Sequence, residues 1–72
     1  MVFKEIKVNT RRELLTLFEK LDNNGFTWAS GRNLVANIDI VDDMPAFIHL
    51  HKGNRVTWGT SSLPSNLWGL AL

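Results

Sequence analysis

The chain predicts a two-layer α+β domain, with one amphipathic helix packed on a mainly antiparallel sheet in the order β-α-β-β-β. Three features carry that prediction. A run of β-branched residues alternates at the start, a capped leucine-striped helix follows it, and two alternating runs flank a Gly-Asn turn later on. With 72 residues, 44% hydrophobic and 21% charged, the sequence has room for a single domain over residues 1–72 and is too apolar for a disordered tail. A domain this size buries roughly 60% of the surface its unfolded chain exposes, and with no cysteine it has no disulfide or thiolate site to reinforce it.

Residues 2–8 alternate. Val2, Ile6 and Val8 are expected on one face with Lys4 interrupting, and Phe3, Glu5 and Lys7 on the other. Thr10-Arg11-Arg12-Glu13 forms a capping box, since the Thr10 hydroxyl can accept the Glu13 backbone N–H while the Glu13 carboxylate reaches back. Leu14, Leu17, Phe18 and Leu21 then fall at helical spacing with Leu15 widening the stripe, and Asn23-Asn24-Gly25 ends the helix, predicted over 11–23. Residues 26–29 alternate as a short strand closed by Ser30-Gly31. Residues 32–45 carry apolar groups at Leu34, Val35, Ile38 and Ile40 but finish in the loop chemistry of Asp42-Asp43-Met44-Pro45. Residues 46–51 and 55–59 read as a hairpin about Lys52-Gly53-Asn54. Residues 60–66 are a Ser/Pro loop, and 67–72 are conspicuously apolar. The only helix buries its stripe on one sheet face, leaving the second face without a helical cover.

Three tryptophans are the first candidates for contact. Trp28 and Trp58 alternate with small or polar residues in strands and read first as core, whereas Trp68 sits among Leu67, Leu70 and Leu72, an apolar end suited to self-association. His49 and His51, two apart in a strand, share a face, but two imidazoles do not complete a zinc site, and they read as the polar outer side of a hairpin. Asp39, Asp42 and Asp43 lack calcium-loop spacing and read as turn residues. No serine lies in a nucleophile elbow and no glycine-rich loop leads into a helix, so no enzyme chemistry, metal or cofactor is expected. Arg11 and Arg12 occupy the first helical turn, where positive charge opposes the dipole, which suggests a grip on a phosphate or an acidic partner. A net charge of +1 does not favour nucleic acid. The opening Met1-Val2-Phe3-Lys4-Glu5 meets charge at once and lacks a signal-peptide core, and no apolar run approaches a membrane span. A cytoplasmic location is expected.

The run Asn24-Gly25-Phe26-Thr27-Trp28-Ala29-Ser30-Gly31, placed after the opening strand and the capped helix, resembles small proteins of phages and prophages of Gram-positive bacteria. These share a Gly-(Phe/Tyr)-x-Trp-x-(Ser/Ala)-Gly turn and a closing hairpin, matched by Ile48-His49-Leu50 and Val56-Thr57-Trp58-Gly59. The resemblance covers most of residues 2–59, but neither 63–72 nor much of 32–45. It implies a setting more than an activity: a non-enzymatic accessory protein that binds a host protein, of inhibitor or anti-defence type, with no ligand residue carried over. A homodimer is expected from the apolar tail at Leu67, Trp68, Leu70 and Leu72. The expected contact residues are Arg11, Arg12, Trp28, Arg32 and Trp68, because Trp and Arg dominate interface hot spots. Alternatives are an oligomer that sequesters a nucleotide signal, with arginines on phosphate and a tryptophan on the base, a single-stranded nucleic-acid module, or a purely structural part.

Overall fold

The computed structural model describes residues 2–62. The elements follow the predicted order: β1 (Val2–Val8), α1 (Arg11–Asn23), β2 (Thr27–Trp28), a single 3-10 turn at Ile38–Ile40, β3 (Ala46–His51) and β4 (Arg55–Gly59). They form a four-stranded sheet in the order β1-β3-β4-β2, with α1 on one face. β1 and β4 each pair antiparallel with β3, whereas β2 runs parallel to β4, so the sheet is mixed.

The helix starts where its chemistry dictates. Thr10 adopts an extended conformation, its hydroxyl accepts the Glu13 N–H at 3.1 Å, and Glu13 Oε1 accepts the backbone N–H groups of Thr10 and Asn9 at 3.1 and 2.9 Å. Two of the donors that a helix start leaves unpaired, those of Thr10 and Glu13, are thereby satisfied, and Asn9 just before the cap is held as well. Asn24 and Gly25 stop the helix, with Gly25 at φ +82° returning the chain toward the sheet. The hairpin turn likewise needs left-handed backbone, supplied by Gly53 at φ +84° and Asn54 at +60°.

The core lies between α1 and the sheet. Leu14, Phe18 and Leu21 meet Val8, Ile48, Leu50 and Val56, and Phe18 packs edge-on against Trp28 with ring centroids 5.4 Å apart. Each such side chain contributes about 1.5–3 kcal/mol by leaving water. The poorly legible stretch 32–45 completes this core, with Leu34 and Val41 wholly buried. Its fixings are polar and come from the helix. Asp22 receives the N–H groups of Leu34 and Val35 on its two carboxylate oxygens, both at 3.0 Å. Arg11 donates to the Val41 carbonyl at 3.0 Å and pairs with Asp39 at 2.8 Å.

Two expectations about the faces need correction. A bulge between Val2 and Lys4 pairs Val2 with His51, so Val2 lies on the face opposite α1 instead of with Ile6 and Val8. His49 and His51 are buried on that face, not set on a solvated outer side. Neighbours on the adjoining strands partner one ring nitrogen of each: His49 Nε2 meets Glu5 Oε2 at 2.9 Å, and His51 Nε2 meets Thr57 Oγ1 at 2.6 Å. No helix among the described residues is long and apolar enough to cross a membrane.

Candidate functional site

The expected contact residues are not gathered in one place. Consecutive helical residues point about 100° apart, so Arg11 and Arg12 leave α1 on different flanks. Arg11 turns toward residues 39–41 and is bound there. Arg12 turns the other way and, among the described residues, its side chain makes no hydrogen bond or ion pair. Trp28 is only 4% exposed and its ring is packed on Phe18, so it is a core residue. Its indole N–H is buried without an acceptor. Arg32 is exposed in the turn after β2, where its carbonyl accepts the Trp28 N–H at 2.9 Å. Trp68, with Leu67, Leu70 and Leu72, lies outside the described residues.

Arg12 borders a surface hollow. This groove, about 450 Å³ in volume, runs between β1 and the flank of α1 formed by Glu13, Thr16, Leu17 and Lys20. Those four sit at helical spacing on the side that faces the sheet edge, next to the stripe that fills the core. The floor is apolar, built from Ile6, Val8 and Leu17, and the rim carries the cations of Arg12 and Lys20. Glu13 also lines it, but its Oε1 is committed to the N–H groups of Asn9 and Thr10. The Lys7 ammonium lies over the Phe47 ring, 5.9 Å from its centroid, so Lys7 borders the groove without supplying charge to it in this arrangement. Lys20 was not among the expected contact residues. Its spacing of seven from Glu13 was visible in the sequence, but which helical flank faces the sheet edge was not.

Another hollow, about 270 Å³, lies beside β4 and is lined by Trp28, Ile40, Thr57 and Trp58 among others. It carries no charged side chain.

On the face away from α1, the histidines and Glu5 form a polar cluster. Glu5 accepts from Ser62 Oγ at 2.7 Å as well as contacting His49. Burial, the largest cause, pushes the His51 imidazole below its usual value and favours the neutral ring. The Thr57–His51 contact has the form of a hydroxyl beside a base. However, His51 Nδ1 has no partner to orient the ring, and the ring itself is inaccessible. Ser62 contacts the carboxylate instead of an imidazole, so the cluster lacks the relay that activates a nucleophile. Among the described residues no three His, Cys, Asp or Glu side chains come together in a way that could hold a metal ion. What this cluster does physically is pin β1, β3 and β4 together through long-range polar contacts.

Comparison with known proteins finds no matching family model, no matching curated protein and no matching solved structure. The functional argument therefore rests on geometry.

Proposed function

We propose that this chain acts by binding a protein partner, not by turning over a substrate, and that the groove between α1 and β1 is its contact surface. One observation carries the reading. An open apolar hollow of about 450 Å³ is rimmed by Arg12 and Lys20, two cations without an ion-pair partner among the described residues. Solvated cations around a dry floor have the composition of an interface, with an apolar centre and a polar rim. Glu13, the carboxylate lining the groove, has its Oε1 committed to the N–H groups of Asn9 and Thr10, which favours binding over acid–base work at this surface. The resemblance to small phage accessory proteins supplies a compatible setting, in which the partner is a host protein.

The nucleotide-sequestering alternative is less well supported. It needs cations and an aromatic face in one site, yet Arg11 and Arg12 diverge and Trp28 is in the core. The single-stranded nucleic-acid alternative needs exposed aromatic rings, and Trp28 and Trp58 both pack against the core.

A photocrosslinking residue at Thr16, in the groove, compared with one at Ser30, on the opposite side of the sheet order, tests the proposal. A specific partner trapped from Thr16 alone, and lost on Lys20→Glu, supports it. Equal trapping from both positions, or trapping insensitive to Lys20, would refute it.

A further inference from the structure

We infer that the groove receives an amphipathic acidic helix of the partner, laid alongside α1. This rests on the binding reading above and names the chemistry of the partner.

The conformation follows from what the groove can offer a backbone. Its floor is apolar, formed by Ile6, Val8 and Leu17. An extended or irregular segment lying on that floor takes its own N–H and C=O groups out of water and needs partners for them. The adjoining strand is not an open row of such partners, since Glu5 in the middle of β1 is already further engaged. A helix satisfies its backbone internally and brings only side chains to the floor. The wall it meets is itself helical, two turns of α1 carrying Arg12, Glu13, Thr16, Leu17 and Lys20. Residues 32–45 close the other flank of α1, and the groove is the corresponding space on this one.

Charge complementarity selects the occupant. Three of the four charged residues lining the groove are cations, and the fourth, Glu13, has one carboxylate oxygen held by the capping box. Lys7 lies over the Phe47 ring, which leaves Arg12 and Lys20 as the two cations of the helical wall, without an ion-pair partner among the described residues. They stand eight positions apart, roughly 12 Å along the helix axis. On a partner helix, two glutamates seven positions apart share a face at about 10.5 Å, and the third and fourth positions between them lie on that same face. The pattern Glu-x-x-Leu-Leu-x-x-Glu therefore brings a carboxylate within side-chain reach of each cation while its leucine pair covers the floor. A second copy of this chain does not supply that pattern. The apolar stripe of α1 is already in the core, and a two-fold pairing of grooves would set Arg12 and Lys20 against the same cations.

The test uses the isotope-labelled full chain and three peptides of about 16 residues. One carries the Glu-x-x-Leu-Leu-x-x-Glu pattern and is held helical by a side-chain bridge, because free helices of this length are marginal in water. The second replaces both Glu by Lys. The third keeps both Glu and both Leu, omits the bridge and places Pro at an outward position between them, which prevents a helix. The inference expects the Glu helix to shift the amide resonances of Ile6 to Val8 and Thr16 to Lys20, with affinity falling as salt is added. The other two peptides should bind at least several-fold more weakly. In the Arg12→Glu/Lys20→Glu double variant the Glu helix should lose about tenfold, each exposed pair supplying roughly a factor of three. The same variant should gain affinity for the Lys helix, a result that a misfolded chain cannot produce.

Equal binding of the Lys helix to the unaltered chain overturns the acidic preference, and equal binding of the Pro peptide overturns the helical occupant. Either result leaves the binding reading intact. A doubled mass of the free chain, with groove resonances that shift on dilution, assigns the groove to a second copy and overturns the inference. Nuclear Overhauser contacts from the Trp68 indole to Leu17 in the free chain also overturn it, by assigning the groove to a segment of the chain itself. No groove shift from any peptide at millimolar concentration, while Thr16 still traps a partner, overturns this inference alone. Failure of both experiments takes the binding reading with it.

Discussion

The two flanks of α1 begin alike and end differently. On one flank, residues 32–45 fold back over the helix, insert Leu34 and Val41 into the core, and are tied down by Asp22 and Arg11. On the other, nothing among the described residues closes over Ile6 and Leu17, and Arg12 and Lys20 stand without an ion-pair partner beside β1. Two adjacent arginines thus have opposite fates. The difference shows that a basic residue in the first helical turn is not itself a sign of ligand binding, since Arg11 opposes the dipole in order to hold a loop. The same position one residue later has no internal use, and that is what distinguishes the open flank.

The comparison breaks most severely at Leu34. This side chain is wholly buried, and Leu34→Ala removes it from a core whose surroundings are set by the helix and the sheet. A loss of about 2–5 kcal/mol is expected, read by urea denaturation. In a domain with so little buried area, that is a large part of its total stability. A loss below about 1 kcal/mol would mean that the closed flank is no better packed than the open one.

Asp22→Ala comes next. It leaves the N–H groups of Leu34 and Val35 without their acceptor in a partly buried site, which costs about 1–3 kcal/mol in stability. Amide exchange should rise at Leu34 and Val35 more than at β1. Equal acceleration in both regions would show that the clamp does not belong specifically to the closed flank.

These fixings explain which parts of the fold were legible. The helix could be read because its cap and stripe are local: Thr10, Glu13 and the leucines lie within a dozen residues. The hairpin could be read because left-handed backbone at Gly53 and Asn54 has a two-residue signature. Residues 32–45 could not, because Asp22 and Arg11 reach them across separations of 12 and 30 residues, and nothing near Leu34 announces its partner. Val2 falls on the face opposite to the one its spacing predicts because a bulge shifts the register by one residue, which strict alternation does not anticipate. Arg12 was legible as a candidate from its unfavourable dipole position, whereas Lys20 and the groove depend on β1 being an edge, a property of strand order alone.

Both flanks rest on one sheet, so a change on its far face should weaken them together. His51 is buried and held below its ordinary range by that burial, while the unfolded chain's imidazole titrates near its usual value of 6.5. Below that value the unfolded state binds a proton that the native state resists, so unfolding is favoured as pH falls. Stability is therefore fully present above about pH 6.5 and declines below it, at no more than about 1.4 kcal/mol per pH unit from this residue. The groups facing His51 are Arg55, its cross-strand partner on β4, Thr57 on the same strand, His49 on β3 and, through His49, Glu5 on β1. Proton NMR of the His51 ring gives its titration directly, and a midpoint at or above 6.5 would exclude this source of acid sensitivity. Loss confined to amides of 32–45 would show that the far face does not support the two flanks equally.

The smallest effect separates the arginines themselves. Arg11 and Asp39 are 52% and 95% exposed, so their pair is largely screened by water and is worth at most about 1 kcal/mol even with the added bond to the Val41 carbonyl. Arg11→Met should lower stability by a few tenths to about 1 kcal/mol and loosen residues 39–41. Arg12→Met should leave stability within about 0.5 kcal/mol of the unaltered chain, since no internal partner is lost. It removes a first-turn cation, so the dipole contribution is slightly favourable and works against any loss. The two variants carry the same chemical change at neighbouring positions. A difference between them in stability and an opposite difference in binding, with Arg12→Met weakening partner trapping from Thr16 and Arg11→Met sparing it, would assign one arginine to folding and its neighbour to recognition.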